Sequence, residues 1–230
     1  MTASMPSRIA PDSPRNQRAR VLQAVFSWLY GPLAWLHEPA GRILFGAAWH
    51  GRRLALLDRS AEQHGPLLDI GCGDGRLLCA AQHGRERAIG LEPSGAAALR
   101  AHRSGAHVVR ALAQRMPFKH ESFAVIVCSY PGPWIADPQV WDEIARVARP
   151  GASVIILLGG TYERGRFAWL RRLMVRVAYG AVPKDGARFT LPELGNATVT
   201  GAFVSLPDQW GAAQYWQGTA VASGRLVRPS

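Results

Sequence analysis

The chain is poor in cysteine, lysine and long apolar runs, and each shortage excludes something. Cys72, Cys79 and Cys128 are its three cysteines. None stands at metal-ligand spacing, so neither a disulfide framework nor a zinc site is indicated, and a reducing compartment is expected. No stretch has the length and purity of a membrane span; the nearest, "VLQAVFSWLYGPLAWL" (21–36), is short and interrupted by Gly31 and Pro32. Arg8, Arg15, Arg18 and Arg20 precede it without a clean small-residue cleavage pattern, so no signal peptide is read and the chain is expected in the cytoplasm. Lys119 and Lys184 are the only lysines, so arginine carries nearly all of the formal charge of +11. That balance admits phosphate-bearing partners or peripheral contact with an anionic membrane, and a solvated basic surface is the plainer reading.

Composition, at 48% hydrophobic and 19% charged over 230 residues, describes one globular domain with a short extra arm. Residues 1–17, with Pro6, Pro11 and Pro14, read as a flexible arm. Residues 18–62 read as a helical lid with breaks at Gly31-Pro32 and near Pro39-Ala40-Gly41, crowded with Phe26, Trp28, Tyr30, Trp35, Phe45 and Trp49. Most of these aromatics are expected to pack on the main domain; a roof over a ligand pocket is the sharper alternative.

From residue 63 to 230 apolar and helical segments alternate, which predicts an α/β fold with a mainly parallel sheet. Strands are expected at 66–71, 88–92, 107–111, 123–130 and 152–158, with helices near 75–83, 94–103 and 138–148. The tail segments 198–207 and 212–223 have no helix between them and read as a terminal antiparallel pair. Residues 166–179, "RFAWLRRLMVRVAY", have the periodicity of a basic amphipathic helix.

The informative stretch is "LLDIGCGDGRLL" (67–78), an apolar run ending in Asp69 and Ile70, followed by Gly71, Gly73 and Gly75. A strand entering a glycine loop and then a helix places backbone N–H groups and a helix N-terminus beside any ligand, and this predicts a site for polar or negative groups. A dinucleotide fingerprint needs a third glycine at position 76, where Arg76 stands, and a Walker A loop is excluded because no Gly-Lys-Ser/Thr follows. Glu92, closing the next apolar run in "AIGLEPS", can accept hydrogen bonds from both hydroxyls of a ribose.

In these motifs the sequence resembles the class I S-adenosylmethionine-dependent methyltransferases, especially small ones similar to the ubiquinone and menaquinone biosynthesis enzymes. "LLDIGCGDG" resembles the family's first motif and "GLEPS" its second. "AQRMPFKHESFAVIVCSY" is similar to its "A-E-x-LPF-x-x-x-x-FD" segment, and "IARVARPGASVIIL" to its "RVLKPGG" segment. Four motifs in order cover residues 65–160. The resemblance implies a Rossmann-like seven-stranded sheet in the order 3-2-1-4-5-7-6 with an antiparallel last strand, and S-adenosylmethionine as cofactor; no metal is expected.

It also implies roles. Asp69, with the backbone at Gly71, Cys72 and Gly73, should surround the methionine part of the cofactor, and Gly75 belongs to the same loop. Glu92 should hold the ribose hydroxyls and Pro93 lie beside the adenine. Leu112 and Ala113 take the adenine-edge position, and Cys128, Ser129 and Tyr130 should end the fourth strand beside the sulfonium. The chain departs from the family pattern at Leu112, usually acidic, at Ala124, usually aspartate, and at Ala152, usually glycine.

Methyl transfer from a sulfonium is an in-line displacement with an activated leaving group, so no catalytic triad is expected and no catalytic residue is assigned. Tyr130 and Trp134 in "SYPGPWIADP", with Tyr30 and His37 from the lid, are the expected substrate contacts, and the expected acceptor is a small apolar, lipid- or quinone-like molecule. "SYPGPW" is also loosely similar to the motif of enzymes that methylate nucleic-acid amines, which keeps that acceptor class open. A nicotinamide-dependent oxidoreductase and a non-catalytic binding protein of the same fold remain as further alternatives.

Overall fold

The computed structural model describes residues 34–82, 84, 87–161, 169 and 194–221. The arm, residues 18–33 of the lid with Tyr30 and the expected break at Gly31-Pro32, and all of residues 166–179 except Trp169 lie outside the described residues.

A seven-stranded sheet organises the chain, in the order β3-β2-β1-β4-β5-β7-β6. Its strands are β1 (Leu67–Ile70), β2 (Ala88–Leu91), β3 (Val108–Val109), β4 (Phe123–Ser129), β5 (Ala148–Gly160), β6 (Val199–Asp208) and β7 (Gly211–Ala220). The first five pair in parallel, whereas β7 runs antiparallel to both β5 and β6. The helices are α1 (Ala34–Arg59), α2 (Arg76–Ala81), α3 (Gly95–Arg103) and α4 (Pro138–Val147), with a 3-10 turn at Pro133–Ala136. Order, direction and helix placement are those the resemblance implies.

Strands buried on both faces read as unbroken apolar runs, and β1 and β4 show it: every β1 residue is buried, as is all of β4 except Ser129. Alternation splits their side chains between two cores. Leu67, Val125, Val127, Ile155 and Leu157 face Leu56 of α1 and Leu77 and Leu78 of α2. Leu68, Ile70, Ile126, Cys128 and Ile156 face Val140, Trp141 and Ile144 of α4.

The expected helix break near Pro39-Ala40-Gly41 is corrected: α1 runs unbroken for 26 residues through all three. Pro39 removes one backbone donor and Gly41 weakens its turn, but the later turns bury Ala48, Trp49, Arg52, Arg53 and Leu56 along one stripe. Tertiary packing of that stripe outweighs the local penalty. α1 is bound to the far end of the sheet as well. The Arg52 guanidinium donates to the Asp208 carboxylate (2.6 Å) and to the Thr161 carbonyl (2.8 Å), and Arg59 donates to the Gln217 side chain (2.6 Å).

Candidate functional site

Strand order reverses at β1, with β2 on one side and β4 on the other, and ligands in open α/β sheets bind at the carboxyl end of such a switch point. The register places the glycine loop there: Ile70 lies opposite Leu91 and Cys128, so Gly71 leaves the sheet beside the ends of β2 and β4.

Gly71, Gly73 and Gly75 all adopt left-handed backbone, with φ of 74°, 59° and 75°. The turn therefore requires glycine or a strained substitute at each. At Gly75 there is a second reason, since a Cβ would stand 2.8 Å from Ala106 Cβ and 2.9 Å from Ala101 Cβ, where α3 crosses the start of α2.

Of the polar or negative groups that the loop was expected to favour, its own bonding favours the polar ones. Gly71 N–H and Cys72 N–H both donate to the Leu91 carbonyl, at 2.7 and 3.2 Å, and Gly75 N–H donates to the Cys72 carbonyl at 3.1 Å. Gly73 N–H donates to Glu92 Oε2 at 3.0 Å, and Ser94 N–H to Glu92 Oε1 at 2.9 Å. With the Gly71, Cys72, Gly73 and Gly75 N–H groups engaged internally, the loop gathers Asp69, Asp74 and Glu92 against Arg53 and Arg76, an acidic cradle in which Asp74 is paired with Arg76 at 2.8 Å. It suits a cation with hydroxyl groups rather than a pyrophosphate.

Asp69 carries the sharpest signal. It is wholly buried, and among the described residues neither carboxyl oxygen has a hydrogen-bond partner. Burial pushes its carboxyl up to about 7, with Glu92 and Asp74 adding to the rise and Arg53 opposing it. Arg53 reaches the site from α1, its guanidinium donating to the Cys72 carbonyl (3.4 Å) and lying 4.0 Å from the Asp74 carboxylate. Sequence motifs gave no sign of Arg53; its phase on the α1 stripe, one residue from Arg52, was the available signal.

Glu92 is buried and accepts one backbone bond at each oxygen, which leaves lone pairs for two hydroxyl donors. Pro93 is exposed next to it, and its carbonyl accepts from the Arg110 guanidinium at 3.3 Å. Leu112 is 61% exposed, an unusual position for a large apolar side chain, while Ala113 beside it is buried. The segment that carries them is tied to α4: Met116 N–H donates to Glu143, and Arg146 donates to the carbonyls of Met116 (2.8 Å) and Phe118 (2.7 Å). Cys72 and Cys128 are buried thiols that burial pushes well above their usual range, so what they offer a ligand is backbone.

At the end of β4 the structure brings Tyr130 and Trp134 to the crevice from opposite faces of the sheet. Tyr130 packs with the α1 side and Trp134 with the α4 side, where its Cζ2 comes within 3.7 Å of the point a Cβ on Gly71 would occupy. Ser129 lies between, partly buried. Of the lid residues, His37 falls within α1, and Trp49 stacks on Tyr130 with ring centroids 3.8 Å apart. Among the described residues no cluster of histidine, cysteine and carboxylate could hold a metal, and no helix is long and apolar enough to cross a membrane.

Comparison with known proteins bears on the fold that carries this site. Residues 68–156 match the family model described as a methyltransferase domain. Uncharacterized proteins of Mycobacterium bovis and Mycobacterium tuberculosis are 29% identical over 159 residues, which is 68% of this chain and 51% of theirs. The chain thus spans about half the length of the curated relatives it matches. Among solved structures, one from Methanococcus maripaludis, assigned as an S-adenosyl-L-methionine-dependent methyltransferase, superposes with a TM-score of 0.59 at 15% identity, covering 84% of this chain and 94% of that one. An S-adenosylmethionine-dependent methyltransferase of Thermotoga maritima gives 0.53 at 18% identity, covering 80% and 94%. At such identities the likeness is one of fold. Residues 68–156 are thus similar to a methyltransferase domain, set in a sheet of the same fold as those structures.

Proposed function

We propose that the chain is an S-adenosylmethionine-dependent methyltransferase acting on a small apolar acceptor of lipid or quinone type. The observation that carries the cofactor assignment is the acidic cradle. A buried, unpartnered Asp69 carboxylate and a Glu92 with spare lone pairs suit a ligand that bears positive charge and a pair of hydroxyls, whereas a dinucleotide pyrophosphate would meet carboxylates and engaged N–H groups. Bound there, the cofactor supplies a methyl group on a sulfonium whose own charge activates it as a leaving group.

The chain's residues then bind and orient. Asp69 holds positive charge on the amino-acid tail, Glu92 fixes the ribose, exposed Leu112 offers apolar surface to the adenine, and Pro93 borders it. Gly71, with no side chain, keeps the path to the end of β4 open. Tyr130 and Trp134 enclose the acceptor and exclude water, and alignment supplies most of the acceleration, so no general base is assigned.

The test is transfer of isotope-labelled methyl to a panel of phenols, quinols and long-chain lipids. Label should enter the organic phase and fall at least about tenfold in Glu92→Ala, because two hydrogen bonds to a charged group are lost. Label entering RNA and none of the apolar acceptors would contradict the acceptor class, and no label in any acceptor would contradict the activity.

A further inference from the structure

Tyr130 has a backbone that its residue type disfavours. Its φ is +51°, a left-handed conformation that costs a non-glycine residue about 1–2 kcal/mol and is rare for a bulky side chain. The conformation has a consequence that strand alternation makes plain. Val125 and Val127 face the α1 side and Ile126 and Cys128 the α4 side, so a continued strand would send Tyr130 to the α4 side. It packs with the α1 side instead.

Among its contacts are a backbone bond and a ring stack on that side. Tyr130 N–H donates to the Leu157 carbonyl of β5 at 2.7 Å, fixing the backbone. On the side chain, the Trp49 ring lies parallel to the Tyr130 ring within 6°, with centroids 3.8 Å apart. Trp49 is only 9% exposed and stands on the buried stripe of α1, whereas part of Tyr130 remains exposed at the crevice. Trp49 is therefore the backing of the pair and Tyr130 its front. Strain at the mouth of a binding crevice, maintained by a specific stack, is the usual mark of a functional constraint. On the α4 side of the same strand end Trp134 lies against Gly71, so Tyr130 and Trp134 border the end of β4 from opposite faces of the sheet.

We infer that Trp49 is a positioning residue that sets acceptor specificity: it holds Tyr130 as one aromatic wall of a slot that selects planar aromatic acceptors over saturated ring systems of the same size. The inference rests on the methyltransferase reading for the identity of the ligand as an acceptor, but the slot itself can be measured without the cofactor. Planarity matters because only a flat ring gains face contact with both walls, and stacking adds to the gain from apolar burial alone.

The experiment compares binding of 2-naphthol and of decahydro-2-naphthol, equal in ring count and differing in planarity, by isothermal titration with and without S-adenosylhomocysteine. The native chain should bind 2-naphthol at least about fivefold more tightly. Trp49→Ala and Tyr130→Leu should abolish that preference, and Trp49→Phe should keep most of it. Affinity for S-adenosylhomocysteine should be unchanged in Trp49→Ala and Trp49→Phe, and an unchanged far-ultraviolet circular dichroism spectrum checks that all three variants fold. Equal binding of the two alcohols by the native chain, or a preference that survives Tyr130→Leu, would overturn the inference. If S-adenosylhomocysteine does not bind while 2-naphthol is preferred, the methyltransferase reading fails and the slot stands.

Discussion

Asp69, buried with no hydrogen-bond partner among the described residues, is a stability liability. Its carboxyl is raised to about 7, chiefly because burial disfavours the charged form, while the unfolded chain releases that proton near pH 4. Between about pH 4 and 7 the folded chain thus holds a proton that the unfolded chain has lost, and stability falls as pH rises through this window. Above about 7 the loss is complete. Asp69→Asn removes the titration, so the denaturation midpoint of the ligand-free native chain should fall relative to the variant between pH 5 and pH 8. The same variant should bind S-adenosylmethionine at least tenfold more weakly. Parallel pH dependence of the two midpoints, followed by thermal unfolding, would mean that Asp69 is ionised throughout.

At the scale of elements, the glycine loop shows why three close glycines follow β1. Gly75 is the one whose replacement should be most costly, because it combines a left-handed backbone with contact against Ala101 and Ala106. Gly75→Ala should lower stability by about 2 kcal/mol or more, read from urea unfolding, since strain and overpacking act together. A variant as stable as the native chain would show that α3 can move aside.

Elements near the loop were legible in the sequence for physical reasons. Parallel strands buried on both faces leave short apolar runs bounded by turn residues, and Asp137 and Ser94 cap α4 and α3 where their side chains accept from Gln139 and Ala97. The continuity of α1 across Pro39 was not legible, because the penalty is local and what outweighs it is packing against distant strands. The contacts of Trp49 with Tyr130 and of Arg53 with the glycine loop were not legible for the same reason: each depends on the angle at which α1 meets the sheet. Nor could spacing reveal that Glu92 consumes the Gly73 N–H, which turns a loop resembling an anion nest into an acidic one.

On the scale of the whole molecule, α1 links the last two strands to the loop at the switch point. α1 is pinned to the β6–β7 end by Arg52 and Arg59 and reaches the glycine loop through Arg53 and the end of β4 through Trp49. The net charge of +11 therefore coexists with a local acidic site, which distinguishes the pocket's ligand from any partner of the basic surface. That local acidity is the centre of the account, and it is tested most directly by isothermal titration of the purified protein with S-adenosylmethionine and, separately, with NADH. Saturable binding of S-adenosylmethionine alone, weakened about tenfold or more by Glu92→Ala, is the predicted result. Binding of NADH, or no binding of S-adenosylmethionine at millimolar concentration, would contradict it.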